Sequence, residues 1–216
     1  NIINTAADAP PDCKLCPRLV EYRNENREKY PAYFNGAVPS FGEISAKFLI
    51  VGLAPGVHGA NQTGRPFTGD FAGDLLYATM KKFGFAKGTY KANPDDGLSL
   101  IDTVLTNAVR CVPPQNKPVA SEIRNCRPFL LNQINELKNL QAILCLGRIS
   151  HESTLDALGV KRKDAPFGHA TEHWLEDKSL MLFDSYHCSR YNTNTRRLTT
   201  EMFEDVFETA LTYRVD

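Results

Sequence analysis

Four short apolar runs, each followed by a loop and then by a helical pattern, constrain this chain more than any other feature. They are Lys47–Leu53 (KFLIVGL), Asp102–Val109 (DTVLTNAV), Ala142–Leu146 (AILCL) and Leu180–Tyr186 (LMLFDSY). Continuous apolar runs of this length, without alternation, suit strands buried on both faces. Between them lie helical patterns. One begins near Phe71, carries Leu75, Leu76, Thr79, Met80 and Phe83, and closes at Gly84. A second carries Ile123, Cys126, Leu130, Ile134 and Leu137 on one face. A third runs from about Arg148 to Leu158 before Gly159, and the last carries Met202, Phe203, Val206, Phe207, Ala210 and Leu211 after an N-cap at Thr199 or Thr200. Strands alternating with helices predict an α/β fold with three α/β/α layers around a central four-stranded parallel sheet. Right-handed crossovers then bring all four strand exits to one edge. The reading is one domain over residues 1–216, with residues 1–12 a flexible polar tail and residues 31–46, 86–99 and 160–178 as loops.

The loop after the first strand is the most informative. Gly52 to Asp70, GLAPGVHGANQTGRPFTGD, spans 19 residues. Connections that long inside a compact domain are usually functional, and the carboxyl end of a parallel strand is where α/β folds bind ligands. Asp70 stands at the mouth of the following helix, either as a plain N-cap or as a carboxylate favoured there by the helix dipole. Phe67 is either packed beneath the loop or a stacking platform. Asn116 and His187 come from the second and fourth strand exits; Asn107 lies inside a strand, where a satisfied core amide is an equal alternative. His58, His151, His169 and His173 have no evident partners and read as surface or structural residues.

Lys+Arg and Asp+Glu are 25 each, so nucleic-acid binding by bulk charge is excluded and any such contact must rest on local placement. Arg190, Tyr191, Arg196 and Arg197 supply one basic, aromatic cluster. No apolar run is long enough to cross a bilayer, and without a secretory signal the six cysteines favour metal or free thiols over a disulfide framework. Cys13 and Cys16 form a CxxC motif; Cys111 and Cys126 have fourteen residues between them. A ligand shared by these four would staple the N-terminal helix to the body, with zinc and an iron–sulfur cluster both open from spacing alone. Cys145 reads as a core thiol. Cys188, beside His187, is a weak candidate nucleophile.

Taken together, GLAPGVHGANQTGRPFTGD, RCVPPQNKP, the CxxC…C-x14-C cysteines and YHCSRYNTNTRRLT resemble the uracil-DNA glycosylase superfamily, most of all its family 5, the uracil-DNA glycosylase B type. The resemblance runs from about Cys13 to the last helix. It implies a [4Fe–4S] cluster on Cys13, Cys16, Cys111 and Cys126, and hydrolysis of the N-glycosidic bond of uracil and other deaminated or damaged bases in DNA. Many relatives place an acidic or amide side chain in the first motif. Here those positions are Leu53 and Ala54, so the acid is expected to be Asp70, as in family 5.

The resemblance assigns catalysis to Asp70, Asn116 and His187. The flipped base is expected against Gly52, Leu53, Ala54 and Gly56, chiefly their backbone, with Phe67 and Asn107. Arg65, Ser189, Arg190, Tyr191, Asn192, Arg196 and Arg197 are expected to face DNA, double- or single-stranded. A monomer acting in the cytoplasm completes the expectation. The alternatives are a non-catalytic binder of DNA lesions and a hydrolase of free nucleotides. The long loop lacks both the Walker Lys-Ser/Thr ending and a GxGxxG fingerprint, which argues against the latter.

Overall fold

A computed structural model describes residues 2–3 and 7–213. In chain order its strands are β1 (Ile2–Ile3), β2 (Ser40–Gly42), β3 (Phe48–Gly52), β4 (Ala86–Lys87), β5 (Ser99–Leu100), β6 (Thr103–Asn107), β7 (Ala142–Leu146), β8 (Glu172–Leu175) and β9 (Leu180–Ser185). The helices are α1 (Pro17–Lys29), α2 (Ala60–Thr63), α3 (Phe71–Lys82), α4 (Ala120–Glu136), α5 (Arg148–Leu158), α6 (Arg190–Asn194) and α7 (Thr200–Leu211).

The four predicted strands form the parallel centre of the sheet, β6-β3-β7-β9. The sheet is wider than predicted: β1 and β2 extend one side and β8 the other, all by antiparallel pairing, giving the order β1-β2-β6-β3-β7-β9-β8. β4 and β5 make a separate two-stranded ribbon.

Period-2 geometry sorts the central strands into two cores. Phe48, Ile50, Leu105, Leu144 and Phe183 pack on one face with Leu76 and Met80 of α3 and Phe203 and Phe207 of α7. Leu49, Val51, Val104, Ile143 and Leu182 pack on the other with Leu130 and Ile134 of α4 and Leu155 of α5. Burying each such side chain contributes about 1.5–3 kcal/mol. A third cluster joins Leu19 of α1 to Val109, Cys111 and Cys126.

This third cluster corrects the expectation of a flexible tail. Ala7 and Ala9 are buried, and Asp8 forms a buried ion pair with Arg110 while accepting from the Ser40 N–H and hydroxyl. Buried charges persist only when paired in this way. Of the predicted tail, Asn1 and residues 4–6 lie outside the described residues. No helix among the described residues is long and apolar enough to cross a membrane.

Candidate active site

The register that pairs β3 with β6 sets Gly52 beside Asn107 at the carboxyl edge. A Cβ on Gly52 would lie 2.4 Å from Asn107 Oδ1 and 2.4 Å from the Phe67 ring, so only a glycine lets amide and ring close over the strand end. Asn107 is 2% exposed, and its Oδ1 has no hydrogen-bond partner among the described residues. A buried, unpaired carbonyl is costly unless a ligand satisfies it. The amide lines a small pocket with Phe67, Asp70, His187, Ala54 and Gly56.

Phe67 is buried with a left-handed backbone, φ +52°. Such strain in a bulky residue marks an over-determined position. Several contacts hold it. A Cβ on Gly73 would sit 1.7 Å from the Phe67 carbonyl oxygen, so the first turn of α3 packs directly on this backbone. The Tyr77 hydroxyl donates to the Pro66 carbonyl (2.6 Å), the Thr63 hydroxyl donates to the Thr68 carbonyl (2.9 Å), and the Gly69 N–H donates to the Tyr90 hydroxyl (3.3 Å). Arg65 lies beneath, 1% exposed, bidentate to Asp96 at 2.9 Å and within 6 Å of the Phe41, Tyr77 and Tyr90 rings. It is therefore a brace for the loop, and the expectation that it faces DNA is wrong. Its planar fork satisfies a buried carboxylate that no phosphate can reach.

Asp70 proves to be both an N-cap and a group that faces the cleft. Oδ1 accepts from the Gly73 N–H (3.0 Å), capping α3. Oδ2 lies against Gly56 and Gly59; a Cβ on Gly59 would approach it to 2.4 Å. Burial raises the carboxyl above its ordinary value, the Gly73 N–H opposes that rise, and Asp74 adds to it. From Asp70 a cleft of about 530 Å³ runs past Gly56 to Asn116, with Tyr22 and Asn26 of α1 and Tyr30 at its C-terminal end as the far wall. Asn116 is exposed with φ +56°, and thus faces Asp70 across this cleft rather than lining the small pocket.

His187 follows β9, its ring 6.0 Å from that of Phe67 at 28°. Burial lowers its pKa to about 4, so at neutral pH it is an uncharged imidazole that can donate one hydrogen bond. Asn192 Nδ2 donates to the His187 carbonyl (2.8 Å), and a Cβ on Gly147 would come within 3.3 Å of the His187 Cβ. Leu53 borders a neighbouring concavity that shares His187, and is not part of the Asn107 pocket.

Beyond His187 the chain turns outward. Ser189 caps α6 through its side chain, Tyr191 is 73% exposed, and Arg190, Arg196 and Arg197 are exposed. Cys188 is buried, donates to the Ala72 carbonyl (3.6 Å), and has its thiol pushed far above the usual range by burial and then by Asp70. It keeps its proton and is no nucleophile. The histidines that looked unpartnered do have partners: His58 Nδ1 meets the Tyr33 hydroxyl (3.0 Å), His151 pairs with Asp184, His169 Nδ1 accepts from the Tyr186 N–H (3.1 Å), and His173 Nε2 donates to the Pro166 carbonyl (3.0 Å).

Cys13, Cys16, Cys111 and Cys126 surround one apolar pocket with Leu19 and Phe129, and none is in a disulfide. Donors reach their sulfurs: the Arg110 N–H to Cys126 (3.3 Å), Arg23 Nη1 to Cys111 (3.7 Å) and Asn125 Nδ2 to Cys16 (3.7 Å). Among the described residues no three His, Cys, Asp or Glu converge closely enough to share a single metal ion.

An α/β protein whose central parallel strands end in an unpaired amide, a histidine held neutral by burial, an aromatic ring and a semi-buried carboxylate around one small pocket is the class that fold and site define. Comparison with known proteins gives this class a family. The model of the Uracil DNA glycosylase superfamily matches residues 39–211, and the chain belongs to that superfamily. It is 42% identical to a type-5 uracil-DNA glycosylase of Thermus thermophilus, over 90% of each chain. It is 34% identical to a type-5 uracil-DNA glycosylase of Pyrobaculum aerophilum, over 92% of this chain and 88% of the relative. A type-4 uracil-DNA glycosylase of the latter organism is 36% identical over 62% of each.

Proposed function

We propose that this protein is a DNA repair glycosylase that hydrolyses the N-glycosidic bond of uracil, and of related deaminated bases, in double- or single-stranded DNA. The observation that carries the reading is the unpaired Oδ1 of Asn107, buried in a pocket walled by Phe67, His187 and Asp70. Uracil presents an N–H flanked by two carbonyls, which suits an amide acceptor on one side and a neutral imidazole donor on the other. A base in a duplex must leave the stack to reach such a pocket. Its face then lies on Phe67.

As the glycosidic bond breaks, negative charge grows on the departing base and positive charge on the sugar. His187 Nε2 or Nδ1 donates to the base carbonyl without itself being charged beforehand. Asp70 Oδ2 opens onto the cleft where the sugar would lie, and stabilises the cationic carbon or orients the attacking water. Asn116, across the cleft, positions that water or the sugar. The exposed segment from Ser189 to Arg197 meets the duplex, with Arg190, Arg196 and Arg197 for phosphates and Tyr191 as the side chain nearest to filling the gap. The acting species is one domain, a monomer in the cytoplasm.

The four cysteines fit a [4Fe–4S] cluster better than zinc. They surround a pocket rather than converge on a point, and a cluster takes one thiolate at each of four separated irons. When bound, the cluster supplies a cross-link between α1 and the body, and the N–H donors at the sulfurs suit its negative charge. Protein purified anaerobically should be brown and hold about four irons per chain; a colourless protein with one zinc would sink the assignment. For the function, single-turnover release of uracil from a duplex is measured for wild type and Asp70→Asn. Release by the wild type and its loss in the variant support the reading; no release by the wild type refutes it.

A further inference from the structure

The carboxyl edge carries a second concavity, which shares His187 with the Asn107 pocket. It measures about 270 Å³ and is bounded by Leu53, Phe167, Tyr186, Arg148 and Arg197. Two guanidinium groups lie over its rings, Arg148 5.2 Å from the centre of Phe167 and Arg197 4.7 Å from that of Tyr186. Among the described residues Arg197 has no ion pair, and Arg148 has only a 3.8 Å contact with Glu152.

The wall bearing Phe167 is held with unusual firmness. His151 and Asp184, 1% and 0% exposed, meet at 2.7 Å through Nδ1 and Oδ1. His151 Nε2 faces the Ala165 carbonyl at 2.9 Å, and a carbonyl only accepts, so this nitrogen carries a hydrogen. Asp184 Oδ2 accepts from the Thr171 hydroxyl (2.9 Å), and the ring of His169 stacks on Tyr186 at 5.0 Å. Burying an ionisable pair carries a desolvation penalty. Its effect here is to fix the segment from Ala165 to Thr171, hence the Phe167 ring, against β9 and α5.

We propose that this concavity is a second nucleobase site, in which an unstacked base of the bound DNA takes the place of the Arg148 and Arg197 guanidinium groups over the Phe167 and Tyr186 rings, and the two arginines swing outward to the adjoining phosphate. The proposal rests on the glycosylase reading above. Aromatic rings beside guanidinium groups form the kind of surface that holds single bases by stacking, irrespective of sequence. The position fits as well: Asn192 of α6 borders the same concavity, so a base unstacked where that segment enters the duplex lies next to it. The base comes from one of two sources, the position opposite the uracil or a neighbour on the same strand.

The test uses the full protein and duplexes carrying a non-hydrolysable 2′-fluoro analogue of deoxyuridine, with affinity read by fluorescence anisotropy. Phe167→Ala should bind the intact duplex roughly 5- to 150-fold more weakly, the loss expected for one base–aromatic stack. Phe167→Tyr, which keeps the ring, should bind like the wild type; an equal loss there overturns the proposal. The measurement is repeated with an abasic analogue opposite the uracil analogue, 5′ to it, or 3′ to it. One of these should abolish the difference between wild type and Phe167→Ala, and identifies the base. A loss equal on all four duplexes, or no loss on any, overturns the proposal. These arms need no bond cleavage, so failure of the wild type to release uracil counts only against the glycosylase reading.

Discussion

Gly59 offers a way to move the Asp70 carboxylate without touching its chemistry. A methyl group there would lie 2.4 Å from Oδ2, 2.9 Å from Cγ and 3.2 Å from Cβ of Asp70. Ordinary contact begins near 3.4 Å, so in Gly59→Ala the nearest oxygen must retreat by about 1 Å. Misplacing a reacting group by about 1 Å costs roughly 10²-fold in rate. The same retreat pulls at the bond from Oδ1 to the Gly73 N–H, and loss of such a cap costs about 0.5–2 kcal/mol. Gly59→Ala should therefore release uracil on the order of 100-fold more slowly in single turnover, with a modestly lowered melting temperature. Gly56→Ala is the control, since its Cβ would stand 3.3 Å from the same oxygen, a contact relieved by a few tenths of an ångström. It should be much the milder change. A Gly59→Ala protein that folds and turns over at the wild-type rate would refute the placement of Oδ2 in the reacting cleft.

Three further expectations follow from the same geometry. Asp70 has a raised folded pKa, so its contribution to stability is present at low pH and is lost as pH rises above the ordinary carboxylate value of 3.8 and through the folded one. Asp70→Asn keeps a capping oxygen but removes that charge, and should melt no lower than the wild type at pH 7 while losing base release; a lower melting temperature would contradict this. His187, lowered to about 4 from 6.5, contributes stability that is present above pH 6.5 and lost as pH falls towards 4. Uracil release should accordingly show no inflection near pH 6.5, and one that disappears in His187→Asn would show an ordinary, exposed imidazole. Asp96→Ala leaves the guanidinium of Arg65 buried without its partner, a change that typically costs about 3–5 kcal/mol. Chemical denaturation should register it, and a loss near zero would mean that Arg65 escapes to solvent.

The parallel centre of the fold was legible because each strand is an apolar run followed by an amphipathic helix; the strand Ala142–Leu146 is found as read, and the helices read from about Arg148 to Leu158 and from near Phe71 form there. The edges were not. β2, β4, β5 and β8 are two to four residues long, too short to display a period, and owe their form to the strands they pair with. Asp70, Phe67, Asn107 and His187 were identifiable as a set only through the family resemblance, and the pocket that unites them depends on a register, Gly52 beside Asn107, that composition does not reveal. Arg65 was misread because its partner, Asp96, stands 31 residues away in a stretch read as a plain turn. The wall that α1 lends to the cleft, and Gly59 beneath Asp70, carried no signal at all beyond a glycine in a glycine-rich loop.

The bracing of the long loop has a consequence for how substrates would be sorted. With Arg65 clamped by Asp96, Tyr77 holding Pro66 and Gly73 pressed on Phe67, the loop that carries the proposed base receptor is braced before DNA arrives. A loop braced in this way leaves induced fit at Phe67 little part in discriminating one lesion from another. Discrimination then passes to the DNA, through the work of extracting each base from its stack. Uracil in a single strand should yield most readily, uracil in a mismatch next, and uracil in a good pair last. On this reading the enzyme ranks lesions by how poorly the helix holds them.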